Sequence, residues 1–356
     1  MAYIKMNRES LRHNFNFLKD LFDSYDLHWG VVSKLLCGNQ LFLTELIELG
    51  VREIHDSRIS NLQKVKEINS DVQTVYIKPP AKENVENIIR YADVSMNTEY
   101  YTLKWLSDEA VKQDREHMVI IMIETGDLRE GVMGEHLIDF YSKCFELPNI
   151  KIVGIGTNLN CLHGVMPSQD KLIQLSLYKQ IIELKFNRTI PWISGGTSVT
   201  IPLILNRQIP KGVNHFRVGE TLYFGVNLFE EKLIPGMRED VFEFAAQIIE
   251  ITEKPMLPIG ELGANPQGDV MEVDTALYGQ THYRAILDVG LLDLDPKYLI
   301  PIKDNFEVVG ASSDMLVLDL GKNEAKHKVG DMLRFRLKYM GALQLLNSDY
   351  IEKKIE

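Results

Sequence analysis

Residues 29–57 read WGVVSKLLCGNQLFLTELIELGVREIHDS: a short apolar run, an amphipathic stretch and a second short apolar run. Apolar residues of the middle stretch recur at three- and four-residue steps, which is typical of a helix with one buried face. Two strands joined by such a helix run parallel in one sheet, because the helix returns the chain to the edge where the first strand began. The stretch therefore predicts a strand–helix–strand unit, with Asn39 capping the helix.

This unit is repeated along the chain to about residue 225. Helical patterns separate the apolar runs, and Asn97 stands in the capping position before the fourth helix. Eight such units in about 200 residues favour a closed (β/α)8 barrel over an open doubly wound sheet, which usually has fewer strands. The predicted strands are residues 29–34, 51–57, 74–78, 93–97, 118–124, 152–159, 190–196 and 214–220.

The pattern changes after residue 235 to strand-like alternation with few helical windows. The segments FEFAAQIIEI, RAILDVG, EVVGASSDMLVLDL and GDMLRFRLKY carry this alternation and predict a C-terminal β-rich domain. The predicted domains are a barrel over residues 8–230 and a β-domain over residues 236–356. The N-terminal strand, residues 2–7, is predicted to join the sheet of the β-domain.

Composition limits the function classes. The 356 residues are 45% hydrophobic and 25% charged, as in soluble globular proteins, and the net charge of -11 disfavours a nucleic-acid partner. The longest apolar runs have about five residues, against the roughly 20 that span a bilayer, so no membrane segment is expected. The cysteines, Cys37, Cys144 and Cys161, have neither metal-ligand nor disulfide-framework spacing, so we expect a cytoplasmic protein without a metal site.

Lys34 closes the first apolar strand and precedes two leucines. In such barrels reacting groups lie at the carboxyl ends of the strands, where this amine would be partly desolvated. Burial disfavours an ammonium ion and makes the neutral amine available as a nucleophile or base. The alternative is a structural lysine whose stem packs while its charge reaches water, and only a cofactor site opposite would favour the chemical role.

The turn Ser194-Gly195-Gly196-Thr197-Ser198 follows the seventh strand, where such barrels often bind phosphate. Its two glycines let the backbone approach an anion, and Thr197 and Ser198 offer hydroxyl donors at a helix start. An ordinary tight turn would look the same. A strand-end lysine facing a phosphate subsite fits pyridoxal 5'-phosphate, but barrels of the aldolase type also use Schiff-base lysines without that cofactor, and spacing does not separate the two.

Six segments in chain order carry a resemblance to a known family. Together they resemble the fold-type III pyridoxal-phosphate enzymes of the alanine racemase superfamily, most closely the alanine/ornithine racemase branch, over nearly the whole chain. The segments are VVSKLLCGN (31–39), ETGDLREGV (124–132), GIGTNLNCLHG (154–164), ISGGTSVT (193–200), NHFRVGETLYFG (214–225) and GASSDMLVLDL (310–320).

The resemblance implies an amino acid racemase that holds pyridoxal 5'-phosphate covalently on Lys34, which is also one of two acid/base groups. It places Arg129 at the substrate carboxylate or the cofactor and Arg217 opposite the pyridine nitrogen. A permanent cation there favours reprotonation of the substrate over decarboxylation or transamination. The remaining cofactor-binding residues that it implies are Asn158, Ser194, Gly196, Thr197, Ser198, Gly219, Glu220 and Tyr350.

Several positions depart from the family pattern. Leu291 stands where alanine racemases carry a catalytic tyrosine, a phosphate-binding tyrosine near Lys34 is missing, and Met122 stands where a carbamylated lysine is frequent. The second acid/base group is therefore sought elsewhere, and Cys161 completes the predicted catalytic set with Lys34 and Arg129. The other candidates for that group are His163, His282, Tyr283 and Tyr350.

The substrate is the next open point, with ornithine, lysine and alanine as candidates. Acidic residues at the predicted barrel mouth would pair with the distal ammonium of a diamino acid, or else orient Arg129 and Lys78. The resemblance also implies a homodimer in which Ser313 and Asp314 line the other subunit's site. The acidic residues are Asp56, which we include in the substrate-binding set, Glu124, Asp127 and Glu130.

Two other functions compete with the racemase. A pyridoxal-phosphate carrier without catalysis would resemble only the barrel half, which the residues after 235 argue against. A fold-type III decarboxylase is expected to place a carboxylate at the ring nitrogen, which Arg217 contradicts.

Overall fold

A short first strand, β1 (Tyr3–Met6), precedes eight parallel strands that close into a barrel. This is a computed structural model, and it describes residues 2–264, 268, 270–302 and 306–356. Each barrel strand pairs with the next in chain order, and the last pairs with the first, so the predicted (β/α)8 barrel is confirmed. The barrel strands are β2 (His28–Val32), β3 (Glu53–Asp56), β4 (Gln73–Tyr76), β5 (Val94–Asn97), β6 (His117–Met122), β7 (Ile150–Gly156), β8 (Trp192–Thr197) and β9 (His215–Val218).

Helices connect these strands, and their starts test the two predicted caps. Asn39 caps the second helix as predicted, since its side chain accepts a 3.2 Å bond from the Phe42 amide. The predicted cap at Asn97 is wrong, because Asn97 ends β5 and donates to the Ser95 carbonyl, and the helix begins three residues later. The helices are α1 (Arg8–Asp23), α2 (Gln40–Glu48), α3 (Ile59–Ile68), α4 (Val85–Tyr91), α5 (Tyr100–Lys112), α6 (Leu137–Cys144), α7 (Gln169–Phe186), α8 (Ile201–Leu205) and α9 (Glu220–Phe224).

A second unit follows, in which β1 groups with residues 242–354, while residues 7–241 form the barrel unit. It is β-rich, as predicted, and β1 lies antiparallel to its longest strand, with Tyr3 opposite Ala245. None of the described helices has the length and apolar character needed to cross a bilayer. The remaining elements are β10 (Val226–Asn227), β11 (Lys232–Leu233), β12 (Phe242–Pro255), β13 (Thr281–Leu287), β14 (Leu299–Pro301), β15 (Glu307–Ala311), β16 (Leu316–Asp319), β17 (Met332–Leu337), α10 (Tyr339–Asn347) and β18 (Glu352–Ile355).

Apolar side chains from β4 to β7 fill one half of the barrel. The indole of Trp192 packs against them from β8. Gly154 lies among them, since a Cβ there would stand 2.9 Å from Ile120 Cγ1. This packing leaves the strand ends as the positions where a ligand is accessible. The buried cluster consists of Val75, Val94, Met96, Ile120, Met122 and Val153.

Candidate active site

Asp127 organises the loop that follows β7. Its buried carboxylate accepts backbone amides of Cys161 (3.0 Å), Leu162 (2.9 Å), His163 (3.2 Å) and Val165 (3.3 Å). Burial opposes the ionised carboxylate, but the four bonds outweigh it and hold the pKa of Asp127 below its usual value. The loop after β6 therefore fixes the loop after β7, and its carboxylate is not available to a substrate ammonium.

Arg129, Glu130, Asn158 and Cys161 meet at this rim of the barrel. The Glu130 carboxylate takes two hydrogen bonds from the Arg129 guanidinium, which raise the pKa of that guanidinium. Asn158 Nδ2 lies 3.4 Å from Glu130 Oε1 and 3.2 Å from the exposed Cys161 Sγ. The sequence predicts that the acidic residues either pair with a substrate ammonium or orient Arg129, and Glu130 orients Arg129.

Arg217 is the buried cation of the site, with 3% of its surface exposed. One terminal nitrogen donates to Ser194 Oγ and the other to the Thr157 carbonyl at 2.8 Å. Burial lowers the pKa of Arg217 to about 10, so it is cationic at neutral pH. The Ser194 hydroxyl, predicted to touch the cofactor, lies between Arg217 and the His215 ring, 2.8 Å from Nδ1.

The turn after β8 forms a small cradle. Ser198 Oγ accepts the backbone amides of Gly219 (3.1 Å) and Thr221 (3.2 Å), which joins this turn to the start of α9. Thr200 Oγ1 is buried and has no hydrogen-bond partner among the described residues. Gly196 has a φ of +142°, and a Cβ there would stand 2.2 Å from that oxygen. A buried hydroxyl without a partner, facing a glycine that has no side chain, fits an anion such as phosphate.

Lys34 lies at the same end of the barrel, as the first residue of a short 3-10 turn that begins two residues after the end of β2. A Cβ on Gly219 would stand 3.0 Å from Val32 Cβ, which shows how closely the end of β9 approaches the end of β2. Burial raises the pKa of Glu220, and the charge of Lys34 acts in the opposite direction, so the two side chains are within electrostatic reach. Lys34 therefore shares this rim with the Ser198 cradle.

Asp56 lies in the barrel wall. Its fully buried carboxylate accepts Ser33 Oγ (2.8 Å), the Arg58 amide (2.9 Å) and Asn61 Nδ2 (3.1 Å). Burial raises the pKa of Asp56 despite these bonds. Its predicted contact with substrate remains a prediction, and the bonds seen here tie β3 to α3.

The C-terminal unit brings its own predicted residues together. Ser313 Oγ donates to Asp314 Oδ2 at 2.7 Å, and the Leu291 amide donates to the Ser312 carbonyl at 2.9 Å. Leu291 and the exposed Tyr350 both line a cavity of about 370 Å³ in this unit. The position of the family tyrosine, the Ser313–Asp314 turn and Tyr350 therefore lie in one region.

Other candidate bases are engaged elsewhere. The His282 ring lies 2.9 Å from both Asp319 oxygens, and Arg284 binds the same carboxylate at 3.0 Å. His163 is exposed, with its backbone amide on Asp127. Cys161 is the candidate that the structure places beside Asn158 and Arg129.

Sequence reasoning missed two residues of the cradle, Thr200 and Thr221, and the bridging role of Asp127. Thr200 follows Gly196 by four residues, a spacing at which a hydroxyl can face a glycine across one turn. The four amides that donate to Asp127 lie within residues 161–165, and no local sequence pattern connects these residues to Asp127.

Comparison with known proteins assigns the chain to a family. Residues 6–227 match the family model described as alanine racemase, N-terminal domain. The chain belongs to this family. It is 38% identical to an ornithine racemase of Acetoanaerobium sticklandii over 353 residues, 99% of each chain. It is also 31% identical to a lysine racemase of Thermotoga maritima, over 91% of this chain and 90% of that one.

The fold has solved counterparts at low identity. A crystal structure of alanine racemase from Bartonella henselae with covalently bound pyridoxal phosphate superposes with a TM-score of 0.74, covering 100% of this chain and 99% of that one at 14% identity. This likeness supports a barrel followed by a β-rich domain as the family architecture.

Proposed function

We propose that the protein is a pyridoxal-phosphate-dependent amino acid racemase whose substrate is ornithine. The observation that carries the proposal is the buried Arg217 cation at the barrel rim that also holds Lys34 and the Ser198 cradle. When bound, pyridoxal 5'-phosphate supplies an electron-withdrawing ring that stabilises negative charge at the substrate Cα.

The residues present fit that cofactor. Lys34 would hold it covalently, and Arg217 would face its ring nitrogen. The unpaired Thr200 hydroxyl is the strongest sign that the cradle accepts an anion. The phosphate would lie against Gly196, Thr197, Ser198, Thr200, Gly219, Glu220 and Thr221, and Ser194 and Asn158 would border the ring.

The proton transfers need one group on each face of the substrate. Lys34 Nζ would take or return the Cα proton on one face, and Cys161 Sγ on the other. Arg129, held by Glu130, would bind the substrate carboxylate, for which its planar fork is suited. Arg217 would place a fixed positive charge at the ring nitrogen, which would favour return of the proton over loss of the carboxylate.

Ornithine is preferred because of the 38% identity with an ornithine racemase along nearly the full chain. A distal ammonium needs a carboxylate partner, and Asp56 and Asp127 have their oxygens occupied. Both Glu130 oxygens are bound by Arg129, so the half-buried Glu124, with one oxygen on the Gly126 amide, remains for that contact. Lysine is the second candidate, on the 31% identity with a lysine racemase.

The assembly and location belong to the same proposal. We infer a cytoplasmic homodimer in which the Ser313–Asp314 turn of one subunit completes the site of the other. Cys144 and Cys161 form no disulfide in the described part of the chain, which agrees with a reducing compartment.

Spectroscopy and product analysis test this proposal. Purified protein with cofactor should show the visible absorbance band of a lysine-bound cofactor, and Lys34→Ala should lose that band, whereas Lys78→Ala, a matched change two residues beyond the end of β4, should keep it. Chiral chromatography after incubation with L-ornithine, L-lysine, L-alanine, L-serine and L-arginine should show the D-enantiomer, fastest from ornithine. Carbon dioxide and an amine would instead indicate a decarboxylase, and cofactor binding without any product would indicate a carrier.

A further inference from the structure

A chain of hydrogen bonds leads from Arg217 across the polar half of the barrel. Arg217 donates to Ser194 Oγ, which lies 2.8 Å from His215 Nδ1. His215 Nε2 lies 2.8 Å from Glu53 Oε1, and His55 Nε2 lies 2.5 Å from the same oxygen. Ser194 and both histidines are fully buried. The cation of the proposed site is thus connected to one carboxylate near the other end of the strands.

The chemistry of the groups sets the direction of this chain. A guanidinium only donates, so Ser194 Oγ accepts from Arg217 and can direct its own proton to His215 Nδ1. His215 then donates from Nε2 to Glu53, and so does His55. Burial opposes the charge on Glu53, but its contacts with His215 and His55 hold the pKa of Glu53 far below its usual value. Burial lowers the pKa of His55, so that ring is neutral. Glu53 is therefore the ionised end of the chain.

The barrel wall is shaped around these groups. A Cβ on Gly30 of β2 would stand 2.2 Å from His55 Nε2 and 2.5 Å from Glu53 Oε1. The Trp192 ring stacks on the His215 ring, with centroids 5.0 Å apart and planes 2° apart. A glycine opens the space and an indole holds the imidazole in place, so the arrangement has support from two further strands, β2 and β8.

A metal ion is the competing explanation, since one ligand atom from each of Glu53, His55 and His215 lies within 4.8 Å of the others. Ligands at about 2.0–2.2 Å from one metal stand roughly 3 Å or more from each other. The separations of 2.5 and 2.8 Å are instead those of hydrogen bonds. A ligand imidazole also donates its second nitrogen to a partner, whereas His55 Nδ1 has none among the described residues.

We propose that Glu53 is a positioning residue: through His215 and Ser194 it fixes the direction of the Arg217 guanidinium and adds negative charge to that which Glu130 supplies. The consequence for the ring nitrogen rests on the proposed function. The link between Glu53 and Arg217 is a property of the chain itself and is measurable without cofactor.

The first test is a thermal-unfolding cycle on cofactor-free protein. Glu53→Gln removes one of the negative charges that favour the buried Arg217 cation and breaks the chain that orients it, so it should lower the unfolding midpoint by roughly 5–10 °C. Adding Arg217→Gln removes that cation and should raise the midpoint of the Glu53→Gln protein again. Losses that simply add in the double variant would overturn the proposal.

The second test compares two serines in loaded enzyme. Ser194→Ala interrupts the chain, whereas Ser95→Ala removes a similar buried bond, Ser95 Oγ to His117 Nε2 at 2.8 Å, that does not lead to Arg217. Ser194→Ala should lower kcat for racemisation about tenfold with little change in KM, and it should lower kcat no further in the Glu53→Gln background. Ser95→Ala should leave both constants unchanged, and equal losses in the two serine variants would contradict the proposal.

The results of these tests distinguish the proposed racemase function from the proposed link between Glu53 and Arg217. If wild-type protein racemises no amino acid but the thermal cycle shows coupling, the function is wrong and the Glu53–Arg217 link stands. If wild-type protein racemises and the cycle is additive, the link alone is wrong. One tightly bound transition-metal ion per chain that is lost in Glu53→Gln would also overturn the hydrogen-bonded chain.

Discussion

Cys161 is the side chain on which the two-sided proton transfer depends. Cys161→Ala should slow racemisation by about 10²–10⁴-fold, because one face of the substrate loses its acid/base group. Lys34 still serves the other face, so deuterium should continue to enter Cα from D2O with one enantiomer only. Mass spectrometry of both recovered enantiomers measures this.

The control for that experiment lies in the same loop. His163→Ala changes an exposed neighbour whose backbone amide is held by Asp127, and it should leave racemisation near the wild-type rate. If His163→Ala gives the one-enantiomer exchange and Cys161→Ala does not, then the histidine is the second group.

His117 gives stability a dependence on pH. Burial lowers the pKa of His117 from 6.5 to about 4, so the folded chain keeps this ring neutral where the unfolded chain protonates it. Between pH 6.5 and about 4 the unfolded state binds the extra proton, so stability falls as pH falls through this window. The contribution reaches about 3 kcal/mol at the acidic end.

Urea unfolding at pH 7 and pH 4.5 measures this contribution. The loss of unfolding free energy between the two values should be smaller in His117→Gln than in wild-type protein by about 2–3 kcal/mol. His136→Gln, which changes an exposed histidine, should keep the wild-type loss. An unchanged loss in His117→Gln would contradict the assignment.

At the scale of elements, the start of α2 rests on a single side-chain cap. Asn39→Ala removes the acceptor of the Phe42 amide and should lower the unfolding free energy by about 1 kcal/mol, measured by urea denaturation. Glu99 precedes α5 without a side-chain cap bond, so Glu99→Ala is the matched control and should change stability much less. Equal effects would show that the loss at Asn39 is not due to capping.

The elements also show how far sequence reasoning extends. The eight strands were predictable because each leaves a local apolar pattern, and Lys34 and the Ser194–Ser198 turn stand at strand ends that the pattern itself marks. The predicted cap at Asn97 was wrong because residue type alone does not show which partner an amide binds. The Asn97 amide donates to the Ser95 carbonyl within β5. The bond from His215 to Glu53 spans 162 residues, and only the closure of the barrel brings them together.

At the scale of the whole molecule, the proposed shared site predicts complementation between subunits. Lys34→Ala disables the barrel side of a site, and Asp314→Ala weakens the part supplied by the other subunit. Refolding the two variants together should give mixed dimers with one intact site, so about a quarter of wild-type racemase activity should return after random pairing. Each variant refolded alone should remain impaired. Sedimentation at twice the chain mass should accompany the recovery, and a monomer with full activity would contradict the shared site.

The four amides gathered by Asp127 have a consequence for changing this enzyme. Because a residue beyond β6 fixes the shape of the segment beyond β7, neither segment can be exchanged on its own without leaving a buried carboxylate or a set of amides unsatisfied. To transfer the specificity of a relative, the segments after β6 and β7 must therefore be exchanged together. Substitutions that accumulate during evolution must likewise keep the two segments compatible.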